Sequence, residues 1–83
     1  MTGDHLQEIS LDTRGLNCPE PLMMLHQAIR RAAAGQQIRI LATDPSTTRD
    51  IPKFCLHLGH GLLVQPSNPQ AKELVFVVQK RPV

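Results

Sequence analysis

The chain has 83 residues and a formal net charge of +2. That is enough material for one modest core and not for two, so a single domain over residues 1–83 is expected. The basic residues are dispersed, and two Phe with no Trp or Tyr offer no platform on which nucleotide bases could stack.

Residues 1–7 read as a frayed end. They begin polar (Met1-Thr2-Gly3-Asp4-His5) and lack the apolar stretch of a secretory signal. No apolar run is long enough to cross a bilayer. Two cysteines without secretory context suggest free thiols in a reducing cytoplasm. Glu8 to Thr13 alternates polar and apolar, which predicts a strand with Ile9 and Leu11 facing a core, broken by Gly15. A first helix is expected from Pro19 to about Ala34. Its apolar stripe is Leu22, Leu25, Ile29 and Ala32 or Ala33, and Gly35 is its expected stop. Gln37 to Thr43 is a second strand with Ile38, Ile40 and Ala42 inward. Asp44-Pro45 closes it, and Ser46, Thr47 or Thr48 caps a second helix with Asp50 in the first turn. Ile51, Phe54, Cys55 and Leu58 form that helix's buried face, and Gly59 and Gly61 end it. Leu62 to Gln65 and Glu73 to Gln79 are the last two strands. The order β-α-β-α-β-β implies an α+β two-layer sandwich, a mixed four-stranded sheet with two helices on one face. The other face carries Leu41, Leu63, Val75 and Val77 and reads as weakly apolar.

The chemistry centres on Asn17-Cys18-Pro19-Glu20-Pro21. Two prolines this close fit only the first turn of a helix, where the backbone N–H has no intrahelical partner. Cys18 is therefore expected as the N-cap, its sulfur facing the positive end of the helix dipole. Pro21 has no N–H, so the amide of Glu20 is the expected donor to the sulfur, while the Glu20 carboxylate opposes a thiolate. Each effect is on the order of 1 kcal/mol or less, so the thiolate is only mildly favoured. The prolines also stiffen the platform that carries the sulfur. If the first two strands are parallel, both helix N-termini open on one sheet edge, and the segment from Asp44 to Asp50 lies beside Cys18.

Met23 and Met24 flank the first helix's stripe, either as flexible fillers of the core margin or as a collar on which a partner docks. Arg49 and Asp50 suit a surface ion pair. Cys55 belongs to the core. His57 and His60 match no strong ligand spacing, so no metal site is expected. With no Cys-x-x-Cys arrangement, dithiol chemistry is not expected.

Cys18-Pro19-Glu20-Pro21-Leu22-Met23-Met24, followed by Asp44-Pro45-Ser46-Thr47-Thr48-Arg49-Asp50-Ile51-Pro52, resembles the TusA (SirA-like) family of small bacterial sulfur carriers. The likeness runs from about Leu11 to the last strand. It implies that Cys18 carries sulfur as a persulfide, with Pro19, Glu20 and Pro21 shaping its site. Met23, Met24, Thr48, Arg49 and Asp50 are then candidates for docking partners. The implied partners are a cysteine desulfurase and downstream sulfurtransferases, the usual destination is 2-thiolation of the tRNA wobble uridine, and no cofactor is required. Direct contact with nucleic acid or membrane is not expected. Two other readings stand beside it: a non-catalytic nucleic-acid or regulatory module, drawing on Arg14, Arg30, Arg31, Arg39, Lys80 and Arg81, and a sulfur or selenium carrier in another route.

Overall fold

The computed structural model describes residues 7–82. The frayed end expected over residues 1–7 thus lies mostly outside the described residues. Gln7 is within them, and its carbonyl accepts a hydrogen bond from Gln36 Nε2 at 2.9 Å.

The elements are β1 (Ile9–Thr13), α1 (Glu20–Arg31), β2 (Gln37–Ala42), α2 (Thr47–Leu58), β3 (Gly61–Val64) and β4 (Leu74–Gln79). The sheet order is β1-β2-β4-β3. β1 and β2 run parallel with Leu11 opposite Ile40, and β4 lies antiparallel between β2 and β3. Alternation places Ile38, Ile40 and Ala42 of β2 on the same face as Leu74, Phe76 and Val78 of β4. These six form one buried cluster with Leu25, Ile29 and Ala32 of the α1 segment and Ile51, Phe54 and Cys55 of α2. Both helices therefore cover one face, and the two-layer α+β sandwich holds. Ile38, Ile40, Phe76 and Leu25 are wholly inaccessible, and each such side chain contributes about 1.5–3 kcal/mol by leaving water.

On the uncovered face Val77 is buried, flanked by Arg39 of β2 and Val64 of β3, while Leu41 and Val75 are half-buried. Leu63 shares this face as expected, half exposed, with its Cδ2 beside the Gly61 position that pairs with Gln79. A register shift between Leu62 and Val64 adds Val64 opposite Val77.

Several ends differ from the sequence reading. α1 stops at Arg31, not Ala34, because Ala32 is already extended at φ −75° and ψ 153°. The turn that follows has its own partners: Ala33 N–H donates to Gln36 Oε1 and Gln36 N–H to the Ala33 carbonyl. Gly35 belongs to this turn with φ +83°, a region that favours glycine, and does not cap the helix. Gly59 does cap α2, left-handed at φ 76° with its N–H on the Cys55 carbonyl. Gly61 opens β3 and has no part in ending α2. Leu58 is 39% exposed rather than buried: it is the last residue of α2.

The far end of the molecule is fastened by two consecutive basic residues. Lys80 Nζ donates to the Ala32 carbonyl at 2.7 Å, and Arg81 Nη1 to the Leu58 carbonyl at 3.2 Å. Each cation thus meets the negative end of a helix. The Arg81 N–H also donates to His60 Nδ1 at 3.0 Å.

Candidate functional site

Parallel pairing of β1 and β2 sends both crossovers off the same sheet edge, so α1 and α2 begin side by side there. The loop after β1 is held in place before it reaches Cys18. Arg14 pairs with Asp12 at 2.8 Å and with Glu73 at 3.3 Å, and its guanidinium draws the Asp12 carboxyl down to about 2. Gly15, at φ +83°, donates its N–H to Thr43 Oγ1.

Cys18 is exposed, with a free thiol. It is not the N-cap. The first intrahelical bond runs from Met23 N–H to the Pro19 carbonyl at 3.0 Å, which makes Pro19 the cap and sets Cys18 one residue outside the helix. The Cys18–Pro19 peptide is cis. Nor does the Glu20 amide serve the sulfur, because it donates to the Asn17 carbonyl at 2.9 Å. Pro21 lies in the first turn of α1 and is buried, so the second proline is a packing residue as well as a stiffener.

What holds Cys18 comes from the start of α2. Its backbone N–H donates to Asp44 Oδ2 at 2.6 Å, and its Sγ lies 3.7 Å from Asp50 Oδ2, to which the thiol donates. Asp44 is the keystone of this junction. Its Oδ1 accepts from Ser46 N–H at 3.0 Å and its Oδ2 from Ser46 Oγ at 2.8 Å, while its carbonyl accepts from Thr47. The Ser46 amide and hydroxyl, helped by the Cys18 amide, lower the Asp44 carboxyl below its ordinary value, so it stays ionised. Ser46 is the N-cap of α2 as one of the three expected, but its hydroxyl serves Asp44 and makes no capping bond.

Asp50 is four-fifths covered and pairs through Oδ1 with Arg49 Nε at 3.1 Å, as the sequence suggested; the Arg49 side chain is 72% exposed. Thr48 donates its hydroxyl to the Pro45 carbonyl. Met23 projects into solvent at 58% exposure, whereas Met24 is half-buried and lines a hollow with Ile9 and Leu11. Beyond Asp50 a groove of about 330 Å³ runs between α1 and α2, floored by Leu22, Phe54 and Leu58 and edged by His26, Lys53 and His57. Cys55 lies below it at 3% exposure, and burial pushes its thiol up to about 11. His60 stacks on Phe54 with ring centroids 5.6 Å apart, and its Nδ1 is occupied by Arg81.

The sequence reading brought Asp44 to this edge but gave it no more than a strand-closing role. Its signal was legible: Asp followed by Pro and Ser is the pattern of a side chain that bonds the backbone two residues on. Leu58, expected in the core, lines the groove instead, and helical spacing does not distinguish the two.

Fold and site together define a class: a small α+β sandwich that presents one accessible thiol where two helices start. The family model for the sulfurtransferase TusA matches residues 9–80. A sulfur carrier protein TusA of Pseudomonas entomophila is 60% identical over 94% of this chain and 95% of its own length, and one of Pseudomonas putida is 61% identical over the same shares. One from Pseudomonas aeruginosa is 57% identical over 93% and 95%. The chain belongs to the TusA sulfurtransferase family. A solved SirA-like protein of Desulfitobacterium hafniense shares the fold at TM-score 0.73 and 16% identity, over 88% of this chain and 97% of that one.

Proposed function

We propose that this sulfur carrier works through Cys18, which takes sulfane sulfur from the persulfide of a cysteine desulfurase and hands it to an acceptor protein. In the first step the Cys18 sulfur attacks the donor's terminal sulfur. A new S–S bond forms on Cys18, the donor's S–S bond breaks with its electron pair on the departing donor sulfur, and the Cys18 proton ends on that sulfur. The second step repeats the exchange with Cys18 as donor. The observation that carries this reading is the exposed Sγ fixed at the meeting of two helix starts, its backbone tied to Asp44. Such a group needs open access on both steps and no enclosing pocket of its own.

Met23 and Met24 lie in the early turns of α1 and Thr48 and Arg49 in the first turn of α2, and the exposure of Met23 and Arg49 supports their use in partner docking. Leu58 and the groove it lines extend that surface. The destination we favour is 2-thiolation of the tRNA wobble uridine, reached through further sulfurtransferases and without direct contact with the nucleic acid. Of the basic residues that a nucleic-acid module would use, Arg14, Lys80 and Arg81 are engaged within the chain. The compartment we favour is the cytoplasm, whose reducing conditions suit an accessible thiol such as Cys18. Among the described residues no helix is long and apolar enough to cross a membrane.

The test is intact-mass measurement after incubation with a cysteine desulfurase and cysteine. Wild type gains one sulfur and Cys18→Ser gains none. Loading of Cys18→Ser would refute the assignment.

A further inference from the structure

We propose that Asp50 sets which sulfur donors Cys18 accepts, admitting persulfides whose reacting end is neutral and rejecting small inorganic sulfur anions of the thiosulfate type. This rests on Cys18 being the reacting sulfur. Two carboxylates bond Cys18: Asp50 Oδ2 stands 3.7 Å from Sγ, and Asp44 holds the amide of the same residue. The cation paired with Asp50 is Arg49, bound at Oδ1, the oxygen that does not face the sulfur, with most of its side chain in solvent. Lys53 and His57 lie further along the groove and bond neither carboxylate among the described residues. Because Asp50 is only 20% exposed, water screens its charge less than that of a free surface carboxylate.

Thiol–disulfide exchange sets the leaving sulfur beyond the attacked one, in line with Sγ. The charge of the incoming anion and of its leaving group therefore stays within about 10 Å of Asp50, the reach of an ion at ordinary salt. A protein persulfide leaves as a cysteine sulfur that picks up the Cys18 proton, so one charge is formed and quenched. Attack on the sulfane sulfur of thiosulfate forms the same Cys18 S–S bond but expels sulfite, so negative charge collects beside a carboxylate that is already charged. At these separations a single like charge slows the encounter by roughly three- to tenfold at a partly screened site.

Two disulfide probes separate this effect from the intrinsic reactivity of the thiol: the neutral dithiodipyridine and the dianionic dithiobis(nitrobenzoate). Both are attacked by the same sulfur, whose S–S attack forms a Cys18 mixed disulfide and expels a thiopyridone from the first probe or a thionitrobenzoate from the second, so the ratio of their rates cancels the thiolate fraction. Wild type should favour the neutral probe. Asp50→Asn should lower that preference roughly three- to tenfold, and Asp50→Glu, which keeps the charge, should retain it. Added salt should bring wild type toward Asp50→Asn. An unchanged ratio in Asp50→Asn overturns the proposal, as does an equal change in Asp50→Glu, which would mark Asp50 as merely structural. Loading by a cysteine desulfurase is scored separately and reports on the carrier reading alone.

Discussion

Replacing Asp44 by Ala tests the junction on which the site depends. The substitution removes acceptors for three donors at once: Ser46 N–H, Ser46 Oγ and Cys18 N–H. Losing the acceptor for the Ser46 amide and hydroxyl costs about 1 kcal/mol, and the bond from the Cys18 N–H contributes about the same once water competes for it. The expected loss is therefore about 2 kcal/mol, equivalent to a Tm drop on the order of 8–16 °C for a chain of this size. Urea denaturation should show a lower midpoint with an unchanged slope, since the surface exposed on unfolding is the same. The variant should also pass sulfur more slowly, because Cys18 and the start of α2 are no longer tied. The pH dependence carries its own sign. The Asp44 carboxyl is lowered in the folded chain, so its contribution is complete above the ordinary carboxylate value near 3.8 and fades as pH falls through the lower folded value. Asp44→Ala should flatten the acid limb of the stability curve. A loss below about 0.5 kcal/mol, the scatter of ordinary surface substitutions, would show that the three bonds are replaced by water without cost.

Other substitutions probe the rest of the chain. Phe76→Ala, at a fully buried position in the middle of the sheet, should cost about 3–5 kcal/mol by denaturant titration, a large share of the stability of so small a chain. Cys55→Ser should load sulfur as wild type does while losing about 1–3 kcal/mol, since a hydroxyl replaces a thiol in an apolar layer; failure to load in a folded sample would give Cys55 a role it lacks here. Gly59→Ala should cost about 1 kcal/mol for its left-handed conformation alone, because an added Cβ meets nothing closer than Arg81 Cδ at 3.9 Å. His60 is lowered by burial and by the charges of Arg81, Lys80 and His26, so its contribution is complete above about 6.5 and declines as pH falls. His60→Phe should therefore reduce the difference in melting temperature between pH 7 and pH 5, measured by circular dichroism.

Where alternation or helical spacing was strong, the elements could be read directly. Ile38, Ile40 and Ala42 point where a two-residue period puts them, and Leu25, Ile29, Ile51 and Phe54 line the helices as a 3.6-residue period requires. What escaped depended on side chains that bond backbone across a loop. Gln36 ends α1 early by occupying the groups that a further turn would have used, and a register shift brings Val64 opposite Val77, which strict alternation does not anticipate. At the site, the two prolines marked the right turn but not the right residue. Helix phase is set by which carbonyl accepts first, and here that is Pro19. The nearness of Cys18 to Asp44 and Asp50 followed from topology alone. That Asp50 would touch the sulfur did not, because side-chain reach over four or five ångströms lies below what spacing resolves.

The grip of Lys80 and Arg81 on the last carbonyls of α1 and α2 has a mechanical result. Both helices are anchored at the end remote from the sulfur, tied at the other by polar groups around Asp44 and Asp50, and packed in between through Leu25, Ile29, Ile51 and Phe54 on the sheet. With each helix held at both ends and along its length, the sulfur is offered to a visiting protein from a set edge where cargo changes hands.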